Sequence, residues 1–356
     1  MSVSGPLFIV SALLGMAALL QVLRRWTDLM AWLAALGAGG IAALVALGPS
    51  DSPVTLGPLS VTLGQPLVIL GRQLVIQDVD RLPLVFIGIT SALLFVVAWR
   101  LMPHSNFFPA GLAAMAMLSA ALMVSQVVYA ALLVEIAALI MIFPLHEPLT
   151  TTDGDAYGGS PKGGLQYLVY ASLALPGLMV AQLLLEQFAV FPSDQGLLQT
   201  ATALLGLSLA VLLGAVPFQA WLSTVAEEGA PPVVTYIFTA NLGTVWFLLL
   251  AYLESYRWLS QQASFSTILT VVGLIMMVVG GLLAASQVRL GRMVGYATLV
   301  DNGALFVALG SRQVAGLALT ILMLMARPLA LGLMTLGLDG LRRIGHGSDR
   351  LDSLQS

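Results

Sequence analysis

The chain has 356 residues, of which 59% are hydrophobic and only 9% charged, and a formal net charge of −3. A soluble domain carries about 25% charged residues, so there is too little charge to cover a water-soluble fold, and a mean hydropathy of +0.97 points the same way. The absence of cysteine excludes disulfides, thiolate nucleophiles and iron–sulfur ligands, and no basic patch suggests nucleic acid.

A membrane span needs about 20 apolar residues at 1.5 Å each. In chain order the apolar runs fall at 5–23, 28–48, 82–102, 106–125, 127–144, 165–185, 197–216, 231–253, 266–287, 292–310 and 314–336. The expected fold class is therefore an all-α polytopic membrane protein of about 11 transmembrane helices. No cation precedes the first run, which is long for a leader peptide, so it reads as a span. Between the second and third spans, residues 53–77 alternate β-branched residues and glycines. A turn at Gly71–Arg72 there predicts a short hairpin outside the membrane. The stretch from Phe107 to Leu145 would be about 57 Å long as one helix. That is nearly twice the bilayer core, so it folds back near Ser125–Gln126. Residues 147–164 form a polar, Gly-rich loop. The expected organisation is one transmembrane domain. Residues 1–80 hold N-terminal helices and the hairpin, 81–336 form the core, and 337–356 are a cytoplasmic tail.

The three histidines, His104, His146 and His346, sit at the edges of apolar runs rather than as paired haem ligands, so neither a metal nor another cofactor is expected. Cations set orientation. With eleven spans, nine of the 14 Lys and Arg residues share the side of the C-terminus and four lie opposite. This predicts an inner (cytoplasmic) membrane protein with its N-terminus outside.

Charges inside spans are costly and mark pathways or packing partners. Three stand out: Glu135 in the fifth span, Asp301 in the tenth and Arg327 in the eleventh. Glu135 is either a proton-relay carboxylate or a hydrogen-bonded tie between helices. Asp301 and Arg327 lie in consecutive antiparallel spans, about 9 Å apart in register. The long Arg327 stem can cover much of that, so an ion pair is expected, structural in preference to transporting. Pro217 ends the seventh span and Pro231–Pro232 open the eighth, with Trp221 between them as an interface anchor. This pattern fits either an interrupted transporter helix or an ordinary loop with proline in the first helical turn. Gly280–Gly281 in the ninth span suggests close helix packing.

Several of these segments resemble the antiporter-like membrane subunits of respiratory complex I, the proton-antiporter M family, and most closely its N-type subunit. The run VPFQAWLSTVAEEGAPPVVT (216–235) resembles the family's Pro-Phe-His-x-Trp-Leu-Pro-Asp segment leading into Glu-Gly-Ala-Pro-Thr-Pro-Val-Thr. The pair GGLLAASQVRLGRMVGYATLVDNGALFVALG (280–310) and the helix VYAALLVEIAAL (128–139) are similar to further family helices. The resemblance covers about residues 80 to 335. It implies an inverted-repeat core with a broken seventh helix, and a midplane line of Lys, Glu and His that moves protons in a NADH-quinone oxidoreductase. It also implies other membrane-arm subunits as partners, and no catalytic redox site in this chain.

By that resemblance the family glutamate falls on Glu135 and is kept. The two channel lysines fall on Leu212 and near Gly243, and the motif histidine on Gln219. The tenth-span histidine falls on Asp301, while Pro217, Phe218, Trp221, Glu228 and Pro231 keep the broken-helix motif. The chain stops after the eleventh span, which implies a truncated second repeat. Relay chemistry needs groups that titrate near working pH. Buried lysine does so because desolvation disfavours its charge, and leucine and glycine cannot. An apolar midplane also excludes water. The sequence thus predicts a structural membrane-arm subunit with impaired proton translocation. The alternatives are an active translocating subunit using Glu135, Asp301 and Arg327, or an independent secondary transporter.

Overall fold

The computed structural model describes residues 2–49, 52–56, 59–69, 71–103, 105–124, 126–150, 156–157, 160–191, 195–256, 263–311 and 314–344. His104, Ser125, His346 and residues 345–356 of the expected tail lie outside the described residues. The architecture is that of an all-α polytopic membrane protein. Among the described residues, nine helices are long and apolar enough to cross a membrane, and two more, Phe107–Met123 and Gly196–Leu212, are shorter and apolar. The chain divides into two compact units, residues 1–144 with Trp246–Leu248, and residues 145–245 with 249–356.

The first unit holds α1 (Gly5–Val22), α2 (Thr27–Leu47), α3 (Asp78–Leu101), α4 (Phe107–Met123) and most of α5 (Val127–Leu145). The break between α4 and α5 falls where the length argument required it. Small residues bring α2 and α3 together. A Cβ on Gly88 would lie 2.7 Å from the Cβ of Ala42, and Ala34, Ala35 and Ala38 are buried in line with it. Near the other end of this pair, Trp99 stacks obliquely on Trp32 at 5.3 Å and donates its indole N–H to Asp28 at 2.7 Å. A capping box between Gln77 and Asp80 starts α3.

The segment 53–77 is more than the single hairpin expected. Strands β1 (Ser2–Ser4), β2 (Val54–Leu56) and β3 (Leu59–Thr62) form one sheet, with β1 parallel to β3 and β2 antiparallel to it. The predicted turn does exist. Strands β4 (Leu67–Ile69) and β5 (Arg72–Leu74) pair across Gly71, whose φ of +75° only glycine adopts without strain. The extra strand was missed because its partner lies more than fifty residues away. The polar loop likewise contains a two-residue ladder, β6 (Leu149–Thr150) with β7 (Ala156–Tyr157).

The second unit holds α6 (Pro161–Val190), α7 (Gln195–Leu212), α8 (Ala220–Glu228), α9 (Pro231–Tyr236), most of α10 (Leu242–Ser255), α11 (Ala263–Ala285), α12 (Leu290–Gly310) and α13 (Val314–Ile344). A π-turn at Ile237–Asn241 joins α9 to α10. Two boundaries change. Helix α6 starts at Pro161 behind the N-cap Ser160 and runs past residue 185 to Val190. Helix α13 continues to Ile344, so residues 337–344 belong to it and not to a tail. At 31 residues α13 is about 46 Å long. That exceeds the hydrocarbon thickness, and its last turns carry Arg342 and Arg343.

A glycine seam closes α11 on α12. A Cβ on Gly273 would meet the Gly303 carbonyl oxygen at 2.5 Å, and one on Gly280 would meet Val300 at 2.9 Å. The Ser266 hydroxyl donates to the Gly310 carbonyl on the same seam. Gly280 thus packs as expected. Gly281, one step around the helix, has nothing within 4 Å and takes no part.

Candidate functional site

The site is built where α7 ends early. Leu212 closes the helix, and the next residues form a tight turn with Gly214 at φ +65° and a cis Val216–Pro217 peptide. Helix α8 resumes at Ala220. The expected broken helix is therefore present, but the segment after it is a second short helix rather than an open loop. Gly214 is required twice over, because a Cβ there would also lie 2.7 Å from Leu222.

Trp221 is not the interface anchor its position suggested. It is 1% exposed and stacked on Tyr167 at 5.0 Å. The reason is that α8 folds back against α6 and α12 and buries its apolar face, Trp221, Leu222 and Val225. The Tyr167 hydroxyl accepts from the Asn241 amide at 2.9 Å, which fixes the last residue of the π-turn. π-turns concentrate at functional sites.

Asp301, Arg327 and the end of α7 converge. The Asn302 amide donates to the Leu213 carbonyl at 2.8 Å, and its side-chain oxygen accepts from Arg327 Nη1 at 2.8 Å. Arg327 Nε lies 3.2 Å from Asp301 Oδ2, so the ion pair expected from the sequence forms. The Arg327 side chain is 1% exposed and that of Asp301 31%. One buried guanidinium thus ties α12 to α13 and, through Asn302, to the carbonyl exposed by the break in α7. Asn302 was missed, although it is the polar neighbour of a charge already singled out. Chemically, this junction holds a fixed positive charge. Arginine does not deprotonate in proteins and asparagine does not titrate, so Arg327 and Asn302 are fixed ties.

A second cluster lies around the C-terminal end of α8. Glu227 pairs with Arg289 and, at 2.6 Å, with Arg292. Arg342 is buried and donates to the carbonyls of Ala226, Glu227 and Gly229. A cation there also complements the helix dipole. Glu228 accepts from the Gly163 backbone N–H at 2.7 Å, which ties the start of α6 to α8. Arg343 pairs with the buried Asp339 at 2.6 Å. In the sequence these arginines contribute only to the charge count.

The remaining candidates fall as follows. Leu212 is half-buried at the end of α7, and Gly243 is buried in the first turn of α10. Pro217 is exposed, Phe218 meets Tyr170 edge-on at 6.5 Å, and Pro231 is the buried first residue of α9. Glu135 belongs to the first unit, half-buried in the middle of α5 between the buried Val134 and Ala137.

Comparison with known proteins places this arrangement. NADH-quinone oxidoreductase subunit N of Chromohalobacter salexigens is 29% identical over 183 residues, 48% of this chain and 37% of the relative. Subunit N of Acinetobacter baumannii is 28% identical over 210 residues, 56% of this chain and 41% of the relative. The chain thus spans about two fifths of the length of these relatives. A chain of the Mrp complex from Dietzia sp. superposes with a TM-score of 0.74 at 18% identity, covering 97% of this chain and 65% of that one. A chain of the membrane-bound sulfane sulfur reductase, an archaeal respiratory membrane complex, gives 0.73 at 15% identity, covering 98% and 73%. These two likenesses concern the fold. The family described as NADH:quinone oxidoreductase/Mrp antiporter, TM, matches residues 165–343, from α6 to the end of α13 and across both clusters. The chain belongs to the NADH:quinone oxidoreductase/Mrp antiporter transmembrane family.

Proposed function

We propose that this chain is a membrane-arm subunit of a complex I-like NADH-quinone oxidoreductase, that its role there is structural, and that its own proton translocation is impaired. It has no redox site of its own, binds neighbouring membrane subunits, and sits in the inner (cytoplasmic) membrane with its N-terminus outside. The observation that carries this reading is the residue pair Leu212 and Gly243. They stand where the family resemblance puts channel lysines, and neither can hold a proton. The polar junction beside Leu212 supports it, because Arg327 and Asn302 act as fixed ties rather than relay groups.

Glu135→Gln in the whole complex, in sealed vesicles, tests it. The expected result is unchanged proton uptake per electron pair. A fall in proton uptake per electron pair, with electron transfer retained, would overturn the structural reading. It would favour the active path through Glu135, Asp301 and Arg327. The observation in favour of that second reading is the Asp301–Arg327 contact at 3.2 Å, with Asp301 partly open. Purification of this chain only as part of a larger complex would argue against an independent transporter.

A further inference from the structure

Three guanidiniums gather at one end of the first unit. Arg24 and Arg25 stand in the turn between α1 and α2, and Arg100 is the last residue but one of α3. All three are exposed. The Trp99 indole N–H, donating to Asp28 at 2.7 Å, holds the start of α2 against the end of α3. Arg100 follows Trp99 directly, and Arg24 and Arg25 precede Asp28 by four and three residues. At 3.8 Å per Cα step, each of the three Cα atoms therefore lies within about 15 Å of one partner of that bond.

Anions are scarce here. Residues 5–47 contain one carboxylate, Asp28, and the acidic residues of α3, Asp78 and Asp80, stand in its first turn at the opposite end. One Asp28 oxygen already accepts from Trp99. Among the described residues neither Arg24 nor Arg25 has an ion-pair partner, and Arg100 meets only the Trp99 ring, 4.3 Å from its centroid. Three guanidiniums against one carboxylate leave a surplus of two positive charges. A guanidinium lying over a ring keeps its in-plane N–H donors available. Apolar surface runs away from the same place, because Ile89, Leu93 and Val96 are exposed at helical spacing on α3, on the column that ends at Arg100. Trp26 is 63% exposed in the turn, and Trp32, which stacks on Trp99, is 46% exposed. Helices α1, α2 and α3 are each long and apolar enough to cross a membrane. Their shared end thus lies at the membrane–water boundary, where tryptophan concentrates and anionic headgroups attract cations.

We infer that Arg24, Arg25 and Arg100 bind the phosphodiester headgroup of one anionic phospholipid, with an acyl chain along the exposed column of α3. Guanidinium matches phosphate in shape as well as charge. Two observations select this occupant. The surplus calls for an anion, which a neighbouring apolar helix does not supply. The flanking tryptophans and the apolar column call for an anion joined to hydrocarbon, which an acidic soluble segment does not supply. The site lies outside the family-matched residues 165–343 and does not depend on whether the chain moves protons.

The test is native mass spectrometry of the full chain with its natural partners. The complex is washed in neutral detergent and offered palmitoyl-oleoyl phosphatidylglycerol or the zwitterionic phosphatidylcholine. The unaltered chain is expected to retain phosphatidylglycerol in preference. R24Q/R25Q should weaken that preference by about fivefold for each arginine, on the scale of juxtamembrane cations, and R24K/R25K should keep most of it. Asp28→Asn keeps an acceptor for Trp99 and removes the competing negative charge, so it should raise retention. A merely structural role for these residues would not produce that opposite sign. Equal retention in R24Q/R25Q and the unaltered chain overturns the proposal. Displacement of the lipid by inorganic phosphate alone does so too, as does release of a neighbouring subunit from R24Q/R25Q with the lipid count unchanged.

Discussion

Asp301→Leu is expected to cost about 3 kcal/mol of stability, the lower end of the range for removing one partner of a buried ion pair. Arg327 would keep its hydrogen bond to Asn302 but lose its only counter-charge among the described residues. The cost is placed at the lower end because Asp301 retains about a third of its exposure, so solvent already weakens the pair. Combining Asp301→Leu with Arg327→Met should recover most of the loss, since buried pairs replaced by apolar groups of similar size are often neutral or better. The measurement is a double-mutant cycle on detergent-induced unfolding of the purified protein. Costs of the two single changes that simply add would mean that the pair is not coupled. Asn302→Leu probes the other half of the junction. It removes the tie to the Leu213 carbonyl as well as an acceptor for Arg327, so it should loosen the broken end of α7 while leaving the ion pair.

The second large effect is steric. Gly295→Leu is expected to cost about 3 kcal/mol or more and to lower the amount of folded protein in the membrane. A Cβ at position 295 would lie 2.5 Å from the Ser223 Cα and 2.6 Å from the Leu222 carbonyl oxygen. Both are backbone atoms of α8, so no side-chain rotation relieves the clash, and α8 must separate from α12. That motion would also pull Trp221 off Tyr167. Gly281→Leu is the matched control, with nothing within 4 Å of its position, and should be tolerated. Thermal unfolding of both variants in one detergent decides the matter. Equal midpoints would mean that α8 is not held against α12 at this point.

Much of the fold was legible because its signals are local. Apolar runs of membrane length mark the helices, and glycine marks the turn at Gly71. The Asp301–Arg327 pair was also within reach, because two charges in consecutive antiparallel spans have few other places to go. Trp221 misled for a physical reason. An aromatic residue flanked by prolines at a helix end is equally consistent with the membrane surface and with a helix that folds back into protein. The choice depends on which helices lie beside it. Asn302 and the Glu227 cluster were missed because their partners, at Leu213 and at Arg289, Arg292 and Arg342, are remote in sequence.

By itself the sequence determined that this chain lives in a membrane, which segments are apolar enough to span it, and which ionisable groups lie inside them. It also determined that Leu212 and Gly243 cannot carry protons. These are properties of composition and spacing, and no tertiary contact alters them. The tertiary structure alone decided that one guanidinium joins α12, α13 and the broken end of α7, and that α8 is buried with Trp221 beneath it. It also decided that Arg289 and Arg292 converge on one carboxylate. These depend on which distant side chains meet, and hydrophobic burial, being non-directional, does not specify that. Close approach at glycines and the hydrogen-bonding demands of buried polar groups do.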